Sequence, residues 1–216
     1  MPYSRGHRAQ VRDRIVESAR RLFNRNGFES VSIDSIMEDA GLTRGGFYAY
    51  FKSKSDLYVE VLGCFFTDPN WKNRWEGVEI DPASPEAAPQ IVRAYLSRQH
   101  FDDVDNSCPM VALPNDVARS DEKVRETFNG VFKAMVAMLG RDVKSSTHDP
   151  EDVALAIAAL CVGGMVLARA LSDTSLADRL RDAAAEASLA LGGWKSENGK
   201  SSSRRRPKPR TARPSR

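Results

Sequence analysis

Apolar residues recur at helical spacing along nearly the whole chain, and the period-2 alternation of a strand is almost absent, so the sequence predicts an all-α protein. A first helix is expected from about Arg8 to Arg25. Val11, Ile15, Ala19, Leu22 and Phe23 fall on one face, with Arg8, Arg12, Arg14, Arg20, Arg21 and Arg25 mostly on others. Gly27 fits a left-handed C-cap, and Phe28 can fold back onto the apolar stripe. Ser32 then caps a second run in which Ile33, Ile36, Met37 and Ala40 share one face, and Gly41 ends it. Leu42 anchors the turn, and Thr43 is placed as N-cap of a short helix carrying Arg44, Gly45, Gly46, Phe47, Tyr48 and Tyr50. Phe47 and Phe51 lie four apart and point inward together, leaving Arg44, Gly45, Gly46, Tyr48 and Tyr50 facing outward. This is the shape of a helix-turn-helix, in which one helix is packed and the next is offered to the major groove of DNA. Ser53 with Asp56 suggests a capping box starting a further helix through Leu57, Val61 and Phe65, whose first-turn N–H groups and Lys54 could meet a phosphate.

Four prolines and a glycine interrupt the pattern over residues 68–90, which reads as a linker or long loop. Ser84 and Pro85 are expected as N-cap and first residue of a helix carrying Ile91, Val92, Tyr95 and Leu96, followed by a short helical segment around Met110 to Ala118. Long helices are expected from about Asp121 to Val143, Pro150 to Leu171 and Leu176 to Leu191. The second of these, with Arg169 alone charged over residues 153–171, is apolar all round and needs cover on every side. Either one subunit buries it completely, or one side packs within the subunit and another against a second copy. The second arrangement is preferred, because two-fold pairing also supplies a second DNA half-site. Gly163 and Gly164 could permit close helix approach. The expected organisation is a three-helix helix-turn-helix domain over residues 1–67, a helical domain over 68–194 that carries dimerisation, and a disordered basic tail over 195–216.

Charge sharpens this picture. Residues 1–25 carry +5 and residues 195–216 carry +8, so the net +3 leaves −10 for residues 26–194. Basic arms beside a helix-turn-helix raise affinity for phosphates without choosing a sequence, whereas the acidic middle opposes wrapping of nucleic acid by the whole chain. The tail has two readings, a solvated solubility segment or a DNA tether. With no apolar run of the roughly 20 residues that a membrane span needs, and no hydrophobic signal in MPYSRGHRAQVRDR, the chain reads as cytoplasmic. Cys64, Cys108 and Cys161 lack the number and spacing of a disulfide framework or a zinc site, and His7, His100 and His148 are scattered. No metal, cofactor or enzymatic constellation is expected. A nonspecific architectural DNA-binding protein held by its basic arms is the alternative to a sequence-specific regulator.

The span from Arg14 to Leu62, above all RIVESARRLFNRNGFESVSIDSIMEDAGLTRGGFYAYFKSKSDLY, resembles the DNA-binding domain of TetR/AcrR-type transcriptional regulators. The features shared are the first helix with its Gly-Phe ending, the Ala-Gly-hydrophobic-Thr turn and the Phe-Tyr-x-Tyr-Phe-x-Ser-Lys block. SCPMVALPNDVARSDEKVRETF also resembles the middle of the ligand domain in a branch of that family. The resemblance implies a homodimer that binds a palindromic double-stranded operator and releases it when a small-molecule effector enters the C-terminal domain, most often as a repressor. It implies DNA contacts by Arg44, Gly45, Gly46, Tyr48 and Tyr50, and phosphate contacts by Ser32, Thr43 and Lys54. Arg44 is the best base reader, since its planar fork can bond guanine O6 and N7 together. Tyr50 is equally well read as a packing aromatic, and Ala49 stands where many relatives carry larger residues.

Effector contacts are less sharply marked. Trp71, Trp75, His100, Phe101, Cys108, Met110, Phe128, Phe132, Met135 and Met165 could line a cavity between helices, although such residues more often fill a core. Cys108 has two readings, an accessible thiol responding to oxidants or electrophiles, and a small buried residue; the second is favoured, since no cation beside it in sequence would stabilise a thiolate.

Overall fold

The structure, a computed structural model, describes residues 5–67, 80–144 and 148–195. Every regular element among them is helical. In chain order these are α1 (Arg5–Asn26), α2 (Ile33–Asp39), a 3-10 helix (Arg44–Ala49), α3 (Lys54–Thr67), α4 (Ala87–Tyr95), α5 (Arg98–Asp102), α6 (Pro109–Ala112), α7 (Pro114–Arg119), α8 (Glu122–Gly140), α9 (Pro150–Ala170) and α10 (Thr174–Leu191). Trp71, Trp75 and residues 196–216 of the basic tail lie outside the described residues.

Local chemistry sets most boundaries where the sequence places them. Gly27 takes φ 77° and Gly41 φ 66°, the left-handed region that favours glycine. At the end of α2 the Gly41 N–H donates to Glu38 O and the Leu42 N–H to Met37 O, so a Schellman motif satisfies carbonyls that the helix leaves unpaired. Ser32 forms a capping box with Ser35, which substitutes for the usual Glu or Gln. Three expectations are corrected. The helix expected at Pro85 starts at Ala87, because Ser84 Oγ and O accept from the Glu86 and Ala87 N–H groups in a preceding turn. The segment 110–118 is two helices, since Pro114 lacks an N–H and disfavours helical geometry at Leu113. Only half of the capping box at Ser53 forms: its Oγ accepts from Asp56 N, while the Asp56 carboxylate pairs with Lys123 at 2.6 Å.

The core has two parts. Residues of α1, α2, the 3-10 helix and α3 bury Ile15, Phe23, Ile36, Phe47, Leu57 and Tyr58 together, and Leu113, Val117 and Val124 from α6 to α8 enter this same cluster. The second cluster joins α4, α6, α8, α9 and α10 around Met110, Leu139, Ile157 and Met165, and Phe128 packs against both. Helix α9 lies between α8 and α10. Its 21 residues are long and apolar enough to cross a membrane by length and composition, which corrects the expectation that no run is. Its packing against two long helices is that of a core helix, yet Leu155, Val166 and Leu167 remain exposed.

Arg20 departs from the exposed position expected for it. It is buried, donating to Asp105 O and Asn106 Oδ1 at 2.6 Å each while pairing with Glu17. Asn24 Nδ2 donates to Asp105 O and Ser107 O, and Arg25 Nη2 donates to Asp105 Oδ2 at 2.7 Å. The loop after α5 is thereby tied to α1. A second tie joins α3 to the start of α8 through Ser55 with Asp121 and Asp56 with Lys123.

Candidate nucleic-acid interface and effector core

Two anchors hold the 3-10 segment against the rest of the N-terminal unit. Phe47 and Phe51 are buried, and their rings lie 5.7 Å apart. Along the segment the backbone closes three-residue bonds, from Gly46 N to Thr43 O and from Tyr50 N to Phe47 O. The α-helix expected here is tightened to 3-10 geometry, as suits a six-residue element containing adjacent glycines of low helix propensity.

With the phenylalanines inward, the opposite side is exposed. Arg44 and Gly45 are open to solvent, and Tyr48 is 63% exposed with its ring edge-on to Phe47. A Cβ built on Gly45 meets nothing within 4 Å, and one on Gly46 meets only Met37 Cε at 3.6 Å. The fold therefore has no steric need for glycine at position 45, whereas it would suit the close approach of an outside partner. Thr43 is the N-cap by backbone conformation, without a side-chain capping bond, and is exposed; the Ser32 hydroxyl, also exposed, is used in its capping box. Tyr50 is half-buried, with the Arg8 guanidinium over its ring at 5.7 Å, and Arg8 Nη2 donates to Ala49 O at the end of the 3-10 helix.

Two cations are engaged differently from the sequence expectation. Lys54 Nζ turns inward, donating to Val31 O at 2.7 Å and lying 4.2 Å from the Phe28 ring centroid, and burial lowers its pKa. Arg44 Nη1 donates to Asp34 Oδ2 at 2.9 Å. The arginines of α1 are likewise occupied within the chain: Arg12 pairs with Glu60, Arg14 donates to Ala40 O, and Arg21 pairs with Asp39 at 2.7 Å. A hydrogen bond from Ser18, together with the Arg21 pair, holds the Asp39 carboxyl below its ordinary pKa.

Of the effector candidates, His100, Cys108, Met110, Met135 and Met165 are all buried, and Phe101, Phe128 and Phe132 are half-buried against the second core cluster. His100 Nδ1 lies 2.6 Å from Tyr95 O, and the Cys108 N–H donates to His100 Nε2 at 3.4 Å. The guanidinium groups of Arg98 and Arg181 lie over the Phe101 ring, 5.2 and 4.9 Å from its centroid. Cys108 is only 1% exposed, which matches the reading as a packed small residue, and burial pushes the Cys161 thiol up to about 12. Spacing alone did not reveal the buried hydroxyls of Tyr95 and Ser188 inside this cluster, which lie beside the Cys108 and Cys161 thiols. Arg169, the single charge of the apolar stretch, was a visible signal: it reaches Phe101 O at 3.2 Å and Ser107 Oγ at 2.7 Å and also donates to His100 O. A groove of about 700 Å³ opens between α8 and α9, lined by Phe132, Val136, Ala137 and Leu155 with Lys133 and Arg141.

Residues 15–61 match the family described as bacterial regulatory proteins, tetR family. The chain is 44% identical over 52 residues to the HTH-type transcriptional regulator AcrR of Shigella flexneri, a match covering 24% of each protein. Over most of its length it shares the fold of solved structures. One is a TetR-family transcriptional regulator from Agrobacterium tumefaciens, with a TM-score of 0.65 at 21% identity, covering 83% of this chain and 97% of that one. Another is the transcriptional regulator FadR from Bacillus subtilis in complex with stearoyl-CoA, with a TM-score of 0.61 at 16% identity, covering 84% and 98%.

Proposed function

Because residues 15–61 make this chain a member of the TetR/AcrR family of regulators, we propose that it regulates transcription by binding a palindromic operator as a homodimer and leaving it when a small molecule occupies the C-terminal domain. One observation carries the DNA-binding part: the 3-10 helix is fastened by Phe47 and Phe51 and turns Arg44, Gly45 and Tyr48 to solvent. In this reading Arg44 contacts base edges, Gly45 and Gly46 let the backbone approach the duplex, and Tyr48 and Tyr50 pack against sugar or base. Ser32 and Thr43 meet phosphates. The inward turn of the Lys54 ammonium supports a supporting role for that residue, bracing the α1–α2 loop, with phosphate contact left to exposed groups around it.

Dimerisation is supported by the exposed apolar residues of α9 and α10, where Leu155, Val166, Leu167, Leu176 and Leu191 remain uncovered in a single chain. Pairing of these faces would bury them and set two recognition segments about one DNA turn apart, roughly 34–36 Å. An effector acts by differential affinity for two dimer geometries, since a ligand that binds both equally shifts nothing. The likeness in fold to a regulator carrying stearoyl-CoA supports an effector site in the helical domain here. The division into a DNA-reading unit over residues 1–67 and an effector and dimerisation unit over 68–194 belongs to the same proposal.

Selection of duplexes from a random pool, followed by competition, tests the reading. A regulator should prefer its selected site by about 10³-fold or more over bulk DNA; an architectural protein would show no such preference.

A further inference from the structure

Asp34 stands exposed in the first turn of α2, beside the outward side chains of the 3-10 helix. A carboxylate on a surface meant for a polyanion opposes binding, and α2 is already capped by Ser32 and Ser35 without it. Its Oδ2 accepts from Arg44 Nη1 at 2.9 Å, and both side chains are more than half exposed. That bond uses one edge of the guanidinium and leaves the Nε and Nη2 side directed elsewhere. Guanine offers neutral acceptors at O6 and N7, which this remaining side can engage while the ion pair stays intact. A phosphate in the same place would lie next to the Asp34 carboxylate and meet a guanidinium whose charge is already offset.

We propose that Asp34 is a specificity-determining positioning residue: it orients Arg44 toward a guanine edge and penalises contact of the same guanidinium with phosphate. This rests on the reading of the 3-10 helix as the DNA-reading element. Discrimination is a difference between affinities, so a repulsive group that costs little on the correct site and more on wrong ones raises it.

Four proteins test this: wild type, Asp34→Asn, Arg44→Ala and the double variant, each titrated by fluorescence anisotropy against the duplex the wild type selects and against random duplex. Asp34→Asn should bind random duplex more tightly, broaden preference at one base position per half-site, and reduce the ratio of selected to random affinity by about tenfold. In the Arg44→Ala background the same change should raise affinity for both duplexes together, altering the ratio by less than about twofold. Asp34→Glu, which keeps the charge, should retain most of the discrimination. Thermal melting checks that these surface variants stay folded. A ratio unchanged in Asp34→Asn, or reduced equally with and without Arg44, overturns the proposal. A wild-type protein that selects no sequence overturns the functional reading itself, and that result is visible before any variant is made.

Discussion

Single residues divide by whether the fold or an outside partner explains them. Gly41 needs a left-handed φ and has Arg14 Nη2 3.1 Å from a would-be Cβ, so the fold accounts for it. Gly45 has open space instead. Gly45→Ala should therefore leave the melting temperature unchanged or raise stability by about 0.4–1 kcal/mol, while DNA affinity falls; a melt and a duplex titration on one preparation check both halves. Arg44→Ala should cost about 1–3 kcal/mol of operator binding and relax one base position in each half-site. Repeating the duplex selection with the variant reads this out, and equal weakening on every sequence would mark Arg44 as a phosphate contact. The outward set was legible because four-residue spacing of Phe47 and Phe51 fixes which side faces in. The commitments of Lys54, Arg20 and Arg44 were not, because a long cationic side chain reaches partners far away in sequence, here Val31 O, Asp105 O and the Asp34 carboxylate.

Helices were the most readable level, since periodicity and caps are local. The helices expected to start at Asp121 and Pro150 have Asp121 and Asp149 as N-caps, whose carboxylates accept from Val124 N and Glu151 N. The 3-10 geometry of residues 44–49 was missed, because outward placement of the same side chains does not distinguish it from one α-turn. The two glycines of α9 also separate in the structure. A Cβ on Gly163 meets nothing within 4 Å, but one on Gly164 would lie 2.8 Å from Ala184 Cβ and 3.2 Å from Leu96 Cδ2. Gly164→Ala should therefore wedge α9 from α10 and cost about 1–3 kcal/mol by overpacking. Gly163→Ala, close to neutral for the subunit, is the control. Denaturant midpoints of the pair report the difference, and equal midpoints would show that α10 can shift without penalty.

For the whole molecule, the exposed α9 face and the ties between the two cores matter most. Leu167, 58% exposed, is the most exposed of the apolar residues assigned to the proposed dimer surface. Leu167→Glu should weaken self-association by on the order of 2 kcal/mol, seen as a shift to monomer in sedimentation at micromolar concentration. The Asp105 tie is pH-dependent. A hydrogen bond from Arg25, with the charge of that guanidinium, holds the Asp105 carboxyl below its ordinary pKa, so its stabilisation is complete above the unfolded value of about 3.9 and disappears as pH falls through the lower folded value. Asp105→Asn should be less stable than wild type by a constant amount near neutral pH, and the gap should close below about pH 4; denaturant titrations across that range measure it. A gap that persists in acid would assign the loss to packing.

Sequence alone determined the helical class, most of the helix ends, the inward aromatic pair and the outward placement of Arg44, Gly45 and Tyr48, because each depends on spacing within a few residues and on the backbone preferences of glycine, proline and capping side chains. Tertiary structure decided what those local rules cannot reach. It drew Leu113, Val117 and Val124 into the core of the N-terminal unit, buried Arg20 and His100, engaged Arg12, Arg14 and Arg21 of α1 as internal braces, and paired Arg44 with Asp34. Burial and charge pairing depend on which surfaces meet when helices distant in sequence pack, and no single helix carries that information.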